Sequence, residues 1–223
     1  MNKVCYTCIT GSYDEPLPFV KTEGWDYIMY TDNPNLGKEH NGWTIRQVIN
    51  SSNLDSTRLA RSYKLTPMDL FPEYDLSIWV DGNISIRCNL DDAVKQVPED
   101  FDIVSLNHPY RNCVYAETEE CKKQNKDIAS VMNKQMDVYR KEGMPEDYGM
   151  LQSTILIRKH NKEIVKEFMR NWLKEVLAYS KRDQLSFHYV KWKMNDPLNH
   201  YIMDSSILFN ASLFPIKQHN HGW

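Results

Sequence analysis

Asp81 and Asn83 stand two residues apart at the end of the run Ser77-Ile78-Trp79-Val80-Asp81-Gly82-Asn83. Their side-chain oxygens are of the kind that ligate a hard cation or accept from sugar hydroxyls. Gly82 between them lets the chain turn or come close to a ligand. The same three residues also read as an Asp-Gly-Asn turn between two strands, and spacing alone does not separate the two. A second group is cationic. Arg58, Arg61 and Lys64 recur at three-residue steps, which puts them on one stripe of a helix. Such a stripe meets a diphosphate in some proteins and plain water in most. A third group is Thr10-Gly11-Ser12-Tyr13-Asp14, a glycine turn carrying hydroxyls and a carboxylate. A turn like this after a first strand is where α/β proteins hold a nucleotide, although it is neither a G-x-G-x-x-G nor a P-loop. Tyr13 offers a ring that stacks on a base or packs on the sheet. Near the end of the chain, His219 and His221 share a face on extended backbone.

The elements that must position these groups alternate. Val4–Thr10, Trp25–Thr31 and Trp43–Ile49 read as strands, and Asp55–Leu65 as the helix carrying the cations. The central strand follows, rich in β-branched and aromatic residues, and ends at Asp81. Leu90–Val97 reads as a short helix and Phe101–Leu106 as a strand that delivers His108, Arg111 and, further on, Glu117. Cys121–Glu142 reads as one amphipathic helix with Gly143 as its C-cap. Ser153–Arg158 reads as a strand. Asn161 then caps a helix whose apolar face runs from Ile164 to Leu177. Arg182-Asp183-Gln184 opens a last helix, with Asp183 where an N-cap belongs. Strands alternating with helices predict an α/β fold, a mostly parallel sheet flanked by helices in a single domain.

Composition narrows the function classes. The chain has 223 residues, 12% of them aromatic, and a net charge of −3, which excludes the basic footprint of a nucleic-acid binder. No apolar run is long enough to span a bilayer, and the N-terminal apolar stretch is too short for a secretory signal, so the expected location is cytoplasmic. Peripheral membrane contact is compatible with this, and the oligomeric state is left open. Five cysteines, an odd number, argue against a disulfide framework. Cys5 and Cys8 are expected on opposite faces of the first strand, as core thiols rather than a metal or redox pair.

Several stretches together resemble the plant mucilage-related and turgor-regulation glycosyltransferase-like family, which has bacterial members. They are Tyr6 to Asp14, Phe71 to Asn83, His108-Pro109-Tyr110-Arg111 with Glu117, Ile157-Arg158-Lys159-His160 and Ser180 to Phe187. The set occurs in the family's order and spans nearly the whole chain. The resemblance implies a GT-A fold, with residues 1–107 as a nucleotide-sugar half and 108–223 as an acceptor half. It implies a donor, most simply UDP-linked, held by Thr10, Gly11, Tyr13, Asp14, Asp32, Arg58, Arg61, Lys64, Asp81, Gly82 and Asn83. His108 and Arg111 would meet the acceptor saccharide. Asp183, Gln184 and Glu117 would be the catalytic set. Asp81-Gly82-Asn83 would stand where GT-A enzymes carry Asp-x-Asp, with Asn in place of the second carboxylate. His219-x-x-Gly222 is similar to the late histidine-glycine of glycogenin-type enzymes. A divalent ion, Mn or Mg, would then sit on Asp81 and His219, with His221 the alternate.

The reaction so implied moves a sugar from a nucleotide diphosphate sugar to a saccharide hydroxyl, as in surface polysaccharide synthesis, and retention is favoured by analogy. Its transition state is oxocarbenium-like, and negative charge grows on the leaving diphosphate. A metal, or the stripe of Arg58, Arg61 and Lys64, would have to neutralise it. Two other classes compete. A haloacid-dehalogenase-type phosphatase also ends a strand in a nucleophilic Asp, but it needs a second Asp two residues later, where this chain has Asn83. A non-catalytic nucleotide- or sugar-binding module is the third.

Overall fold

The computed structural model describes residues 1–219. In chain order these residues form β1 (Lys3–Ile9), β2 (Trp25–Thr31), β3 (Glu39–His40), β4 (Trp43–Gln47), α1 (Ser56–Leu65), α2 (Pro67–Leu70) and β5 (Leu76–Val80). Then come α3 (Leu90–Val94), β6 (Ile103–Asn107), α4 (Val114–Lys123), α5 (Ala129–Glu142), β7 (Leu151–Arg158), α6 (Glu163–Ala178), α7 (Gln184–Lys193) and β8 (His200–Met203). The strands make one sheet in the order β3-β4-β2-β1-β5-β7-β6-β8. β4, β2, β1 and β5 are parallel neighbours, and β6 and β8 pair in parallel. β7 runs against both β5 and β6, and β3 against β4, so the sheet is mixed. β7 comes from the second half of the chain yet lies between two strands of the first, so the two halves share one sheet.

Side chains alternate across that sheet, as the strand pleat requires. Tyr6, Cys8, Ile28, Tyr30, Trp79 and Leu156 pack on one face against α1, α5, α6 and α7. Cys5, Ile9, Met29, Ile78, Val80 and Ile155 pack on the other against α3, Phe214 and the segment around Leu208. Cys5 and Cys8 therefore point to opposite faces, and all five cysteines are free thiols.

Three local expectations are corrected. Residues 121–142 are not one helix. α4 ends at Lys123 and α5 begins at Ala129, because Asn125 takes a left-handed φ of 51° that turns the chain back. α4 also starts early enough to hold Glu117 on a helix. Asn161 does not cap α6: its amide donates to the carbonyls of Pro72 (2.9 Å) and Tyr74 (2.8 Å) and ties the helix entry to the loop before β5. Leu177, expected on the apolar face of α6, is largely exposed at its last turn. β3 and β8, short edge strands without a clear alternation, carry no signal in the sequence. Gly143 does close α5 in the left-handed conformation.

Candidate active site

The carboxyl ends of β1, β5 and β6 and the amino end of antiparallel β7 lie on one edge of the sheet. A cleft of about 570 Å³ opens there, walled by the Thr10–Asp14 loop, α1, the Asp81 turn, the His108–Arg111 loop, Lys181–Gln184 and His219. Gly11 is needed in that wall. Its φ of +68° is left-handed, and a Cβ would stand 2.8 Å from Ser56 Oγ at the start of α1. Asp32 does not line the cleft; it accepts from the Gly11 N–H at 2.8 Å and so fixes the loop from behind. Thr10 Oγ donates to the Ser56 carbonyl at 2.7 Å. Asp81, Gly82 and Asn83 form a turn closed by the Ile84 N–H on the Asp81 carbonyl at 2.9 Å. The turn therefore stands at the end of β5, but no strand follows it before α3. Gly82 has no left-handed φ; it is there because a Cβ would fall 2.7 Å from Ile9 Cγ1.

At the floor of the cleft four charges share one nest. Lys64 Nζ lies 2.6 Å from Asp183 Oδ2 and 3.6 Å from Asp81 Oδ1. Arg61 Nε lies 3.2 Å from Asp183 Oδ1, and its Nη1 lies 3.7 Å from Asp81 Oδ1. The Lys64 side chain is 0% exposed and the Asp183 side chain 2%, against 15% for Arg61 and 21% for Asp81. Ser153 Oγ donates to Asp183 at 2.9 Å, and the Trp79 indole N–H donates to Asp81 Oδ1 at 2.7 Å. Burial would raise the Asp183 carboxyl, but Arg61, Lys64 and the Lys64 hydrogen bond outweigh it and hold the group well below the carboxylate range. A carboxylate so deeply ionised and so enclosed orients cations; it does not collect a proton at neutral pH. It is not a cap either. Asp183 sits at the N-cap position with helical φ and ψ of −55° and −34° and makes no side-chain cap bond.

The stripe divides. Arg61 and Lys64 turn into the cleft and its floor, while Arg58 leaves the site. Its Nη1 pairs with Asp55 at 2.7 Å, and its Nε and Nη2 donate to the carbonyls of Val176 (3.2 Å) and Tyr179 (2.5 Å) at the end of α6. The reason is geometric: at about 100° per residue, Arg58 and Lys64 stand about 120° apart around α1. The orphan carbonyls of the α6 C-terminus then take the outermost guanidinium.

Across the cleft, Glu117 is buried against two groups from the preceding loop. Arg111 Nε reaches its Oε2 at 2.5 Å, and His108 Nε2 lies 3.4 Å from the same oxygen. The Arg111 N–H donates to His108 Nδ1 at 3.1 Å, which puts the imidazole proton on the nitrogen facing Glu117. Burial holds His108 below its ordinary value despite that carboxylate, so the ring is neutral at pH 7. Gln184 accepts from Arg182 Nη2 at 2.7 Å and donates to the Leu151 carbonyl at 3.1 Å.

The tail does fold back over the cleft, but His219 goes elsewhere than expected. Its Nδ1 lies 2.8 Å from Asp14 Oδ2 and its Nε2 lies 3.4 Å from Asn83 Nδ2, with Tyr13 tilted against the ring at 4.7 Å. His221 lies outside the described residues. The donor set does not fit the expected metal. Asp81 Oδ1 already faces the Trp79 N–H, Arg61 and Lys64, two of which would repel a divalent ion. Among the described residues no three His, Cys, Asp or Glu side chains converge as ligands.

Some side chains that line or support the cleft are not among the residues singled out from the sequence. Trp79 shares a face with Asp81 by the two-residue strand period, a signal that was present. Ser153 and Lys126 had none, because each arrives from a distant element. Arg182 and Tyr110 stand within the stretches that carry the family resemblance; Arg182 lines the cleft beside Asp183, and Tyr110 stands at its rim 79% exposed.

No curated protein sequence matches the chain. Among solved structures, the apo form of WbbM, a bifunctional glycosyltransferase, is similar with a TM-score of 0.51 at 10% identity. The match covers 90% of this chain and 38% of WbbM, so the chain spans well under half of that protein's length. At that identity the likeness concerns the fold alone, a GT-A-like α/β sheet. No helix among the described residues is long and apolar enough to cross a membrane. The profile of the TOD1/MUCI70 glycosyltransferase-like domain matches residues 17–217, and the chain belongs to that family.

Proposed function

We propose that the chain transfers a sugar from a nucleoside diphosphate sugar to a saccharide hydroxyl. The observation that carries the reading is the cleft in which the Gly11–Asp14 loop, Arg61, Asp81 and the Glu117 corner face one another at the strand ends. In open α/β sheets that edge is where ligands bind. A smaller cavity of about 170 Å³ beside it, lined by Ile9, Met29, Thr31 and Asn33, suits a nucleobase, and uracil is the base we assign. In this reading most donor contacts come from residues 1–107. His108, Arg111 and Glu117, with Tyr110 at the rim, meet the acceptor. Asp183 positions Arg61 and Lys64 rather than acting as a base. Glu117 then remains as the carboxylate nearest the acceptor side. Its Oε2 already accepts from Arg111 and faces His108, an arrangement suited to orienting a hydroxyl, and in the retaining reaction we favour charge at the donor carries the rate.

One observation favours a non-catalytic binding module. Asp183, Glu117 and Asp14 each face a cation or an imidazole. A thermal-shift screen of nucleoside diphosphates and their sugars, followed by donor hydrolysis without acceptor, separates the readings. Enzyme and module both gain melting temperature from donor, as any ligand of the folded state does. Only the enzyme releases free sugar. No shift with any nucleoside diphosphate sinks both. The phosphatase reading has Asn83 where its second Asp belongs, and that amide donates to the Lys217 carbonyl at 2.8 Å.

A further inference from the structure

A leaving diphosphate must meet positive charge, and the residues at the Asp81 turn do not assemble a metal to supply it. Asn83 replaces the second carboxylate. It is buried, and its Nδ2 donates to the Lys217 carbonyl, so its nitrogen faces the tail. Asp81 is crowded on Oδ1 by an indole N–H and two protein cations. One cation in this nest differs from the other. Lys64 is fully buried and hydrogen-bonded to Ser153 and Asp183, so it cannot touch a substrate. Arg61 lines the cleft and is partly exposed. Its ion pairs are loose, at 3.2 and 3.7 Å, and among the described residues it makes no hydrogen bond. A guanidinium has five donors in a planar fork, and a fork held from behind by carboxylates presents its free edge to paired phosphate oxygens.

On the glycosyl-transfer reading above, we infer that Arg61 receives the donor's diphosphate and neutralises it as it leaves, and that donor binding needs no divalent cation. Asp81 and Asp183 are positioning residues for that guanidinium. Lys64 balances the second carboxylate, so that the pair does not cancel Arg61 outright. Arg182 and Lys126 line the same cleft and extend its positive wall.

Calorimetric titration of the full chain with UDP, GDP and dTDP, in EDTA and again in manganese, tests this. The expected result is an affinity that differs less than about two-fold between chelator and metal. Arg61→Gln should weaken it about ten- to one-hundred-fold in both, as for a lost charge-assisted contact. Arg61→Lys should fall between, since it keeps the charge and loses the fork. Binding seen only with manganese overturns the inference and leaves the donor reading intact. Wild-type affinity in a folded Arg61→Gln protein does the same. No binding of any of the three nucleotides, with or without metal, overturns the donor reading and the inference with it. Should Arg61→Gln fail to fold, Arg61→Lys takes its place beside the chelator comparison, and wild-type affinity in that folded variant overturns the role given to the guanidinium fork.

Discussion

The buried Lys64–Asp183 pair makes a sharp prediction about stability. Lys64→Met keeps the apolar stem and removes the charge 2.6 Å from Asp183. The carboxylate then keeps only Arg61 at 3.2 Å and the Ser153 hydroxyl, in a site where it is 2% exposed. Breaking one side of a buried pair costs about 3–5 kcal/mol, chiefly through the charge left behind. Asp183→Asn should cost a similar amount by stranding Lys64, whose next carboxylate is Asp81 at 3.6 Å. The double variant removes one charge of each sign and returns the nest to balance. Its cost should therefore fall short of the sum by about 1–3 kcal/mol, the range of coupling between residues in contact. Urea unfolding followed by far-UV circular dichroism measures all four proteins, with a constant slope showing that the denatured state is unchanged. The sign of the pH dependence follows from Asp183. Its folded value lies below its unfolded one, so its contribution is full above the unfolded value and is lost as pH falls through the folded one. The gap between wild type and Asp183→Asn should thus persist at pH 7 and narrow below about pH 4. Additivity of the two single changes within about 0.5 kcal/mol would refute the shared nest.

Three further outcomes are expected. Glu117→Gln should leave UDP binding within about two-fold of wild type while transfer to acceptor falls about a hundred-fold, the usual scale for a positioned carboxylate; equal losses in both would place Glu117 at the donor instead. Gly82→Ala should cost about 1–3 kcal/mol, because the new Cβ meets Ile9 Cγ1 at 2.7 Å and Cδ1 at 2.8 Å, and Ile9→Val in the same chain, which removes the Cδ1 contact, should return part of it in a thermal melt. His188, pushed down to about 4 by burial, is neutral in the fold, and His200 beside it is held lower still by burial and by His188. The unfolded chain takes up these protons first, so stability is full above about pH 6.5 and declines towards pH 4, with His188 accounting for on the order of 2 kcal/mol at pH 5. His188→Gln should flatten that decline in chemical unfolding at pH 5 and 7.

The parts of the site carried by a local period were legible. The strand ending at Asp81 and the helix bearing Arg61 and Lys64 both follow from side-chain spacing, and the glycine turn after β1 from its composition. The partners of those residues were not, because they arrive from far along the chain. Lys64 meets Ser153 across 89 residues, and Arg58 meets the Val176 carbonyl across 118. A stripe of like charges has the same spacing whether it faces phosphate, water or buried carboxylates. What decides is the set of anions that folding brings to it. Asp183 illustrates the limit from the other side. Its type and place match an N-cap, yet the buried Lys64 and the partly exposed Arg61 bind its carboxylate more strongly than a backbone N–H would, and the residue takes helical torsions instead of the extended ones a cap needs.

The tail carries the argument one step further. A ladder of backbone bonds brings it across the cleft. The Ser85 N–H donates to the Pro215 carbonyl at 3.0 Å, the Arg87 N–H to Leu213 at 2.8 Å, and the Lys217 N–H to Asn83 at 2.9 Å. That ladder sets the register. Lys217 is fixed on Asn83, and two residues later the imidazole falls beside Asp14, 205 positions away, rather than on Asp81. The ring still touches the turn, its Nε2 standing 3.4 Å from Asn83 Nδ2. Asp14, in the loop after β1, holds its Nδ1, and Asp81 Oδ1 faces Arg61 and Lys64 instead. On the glycosyl-transfer reading proposed above, that placement keeps the imidazole off Asp81 and leaves Arg61 as the group to meet the phosphate.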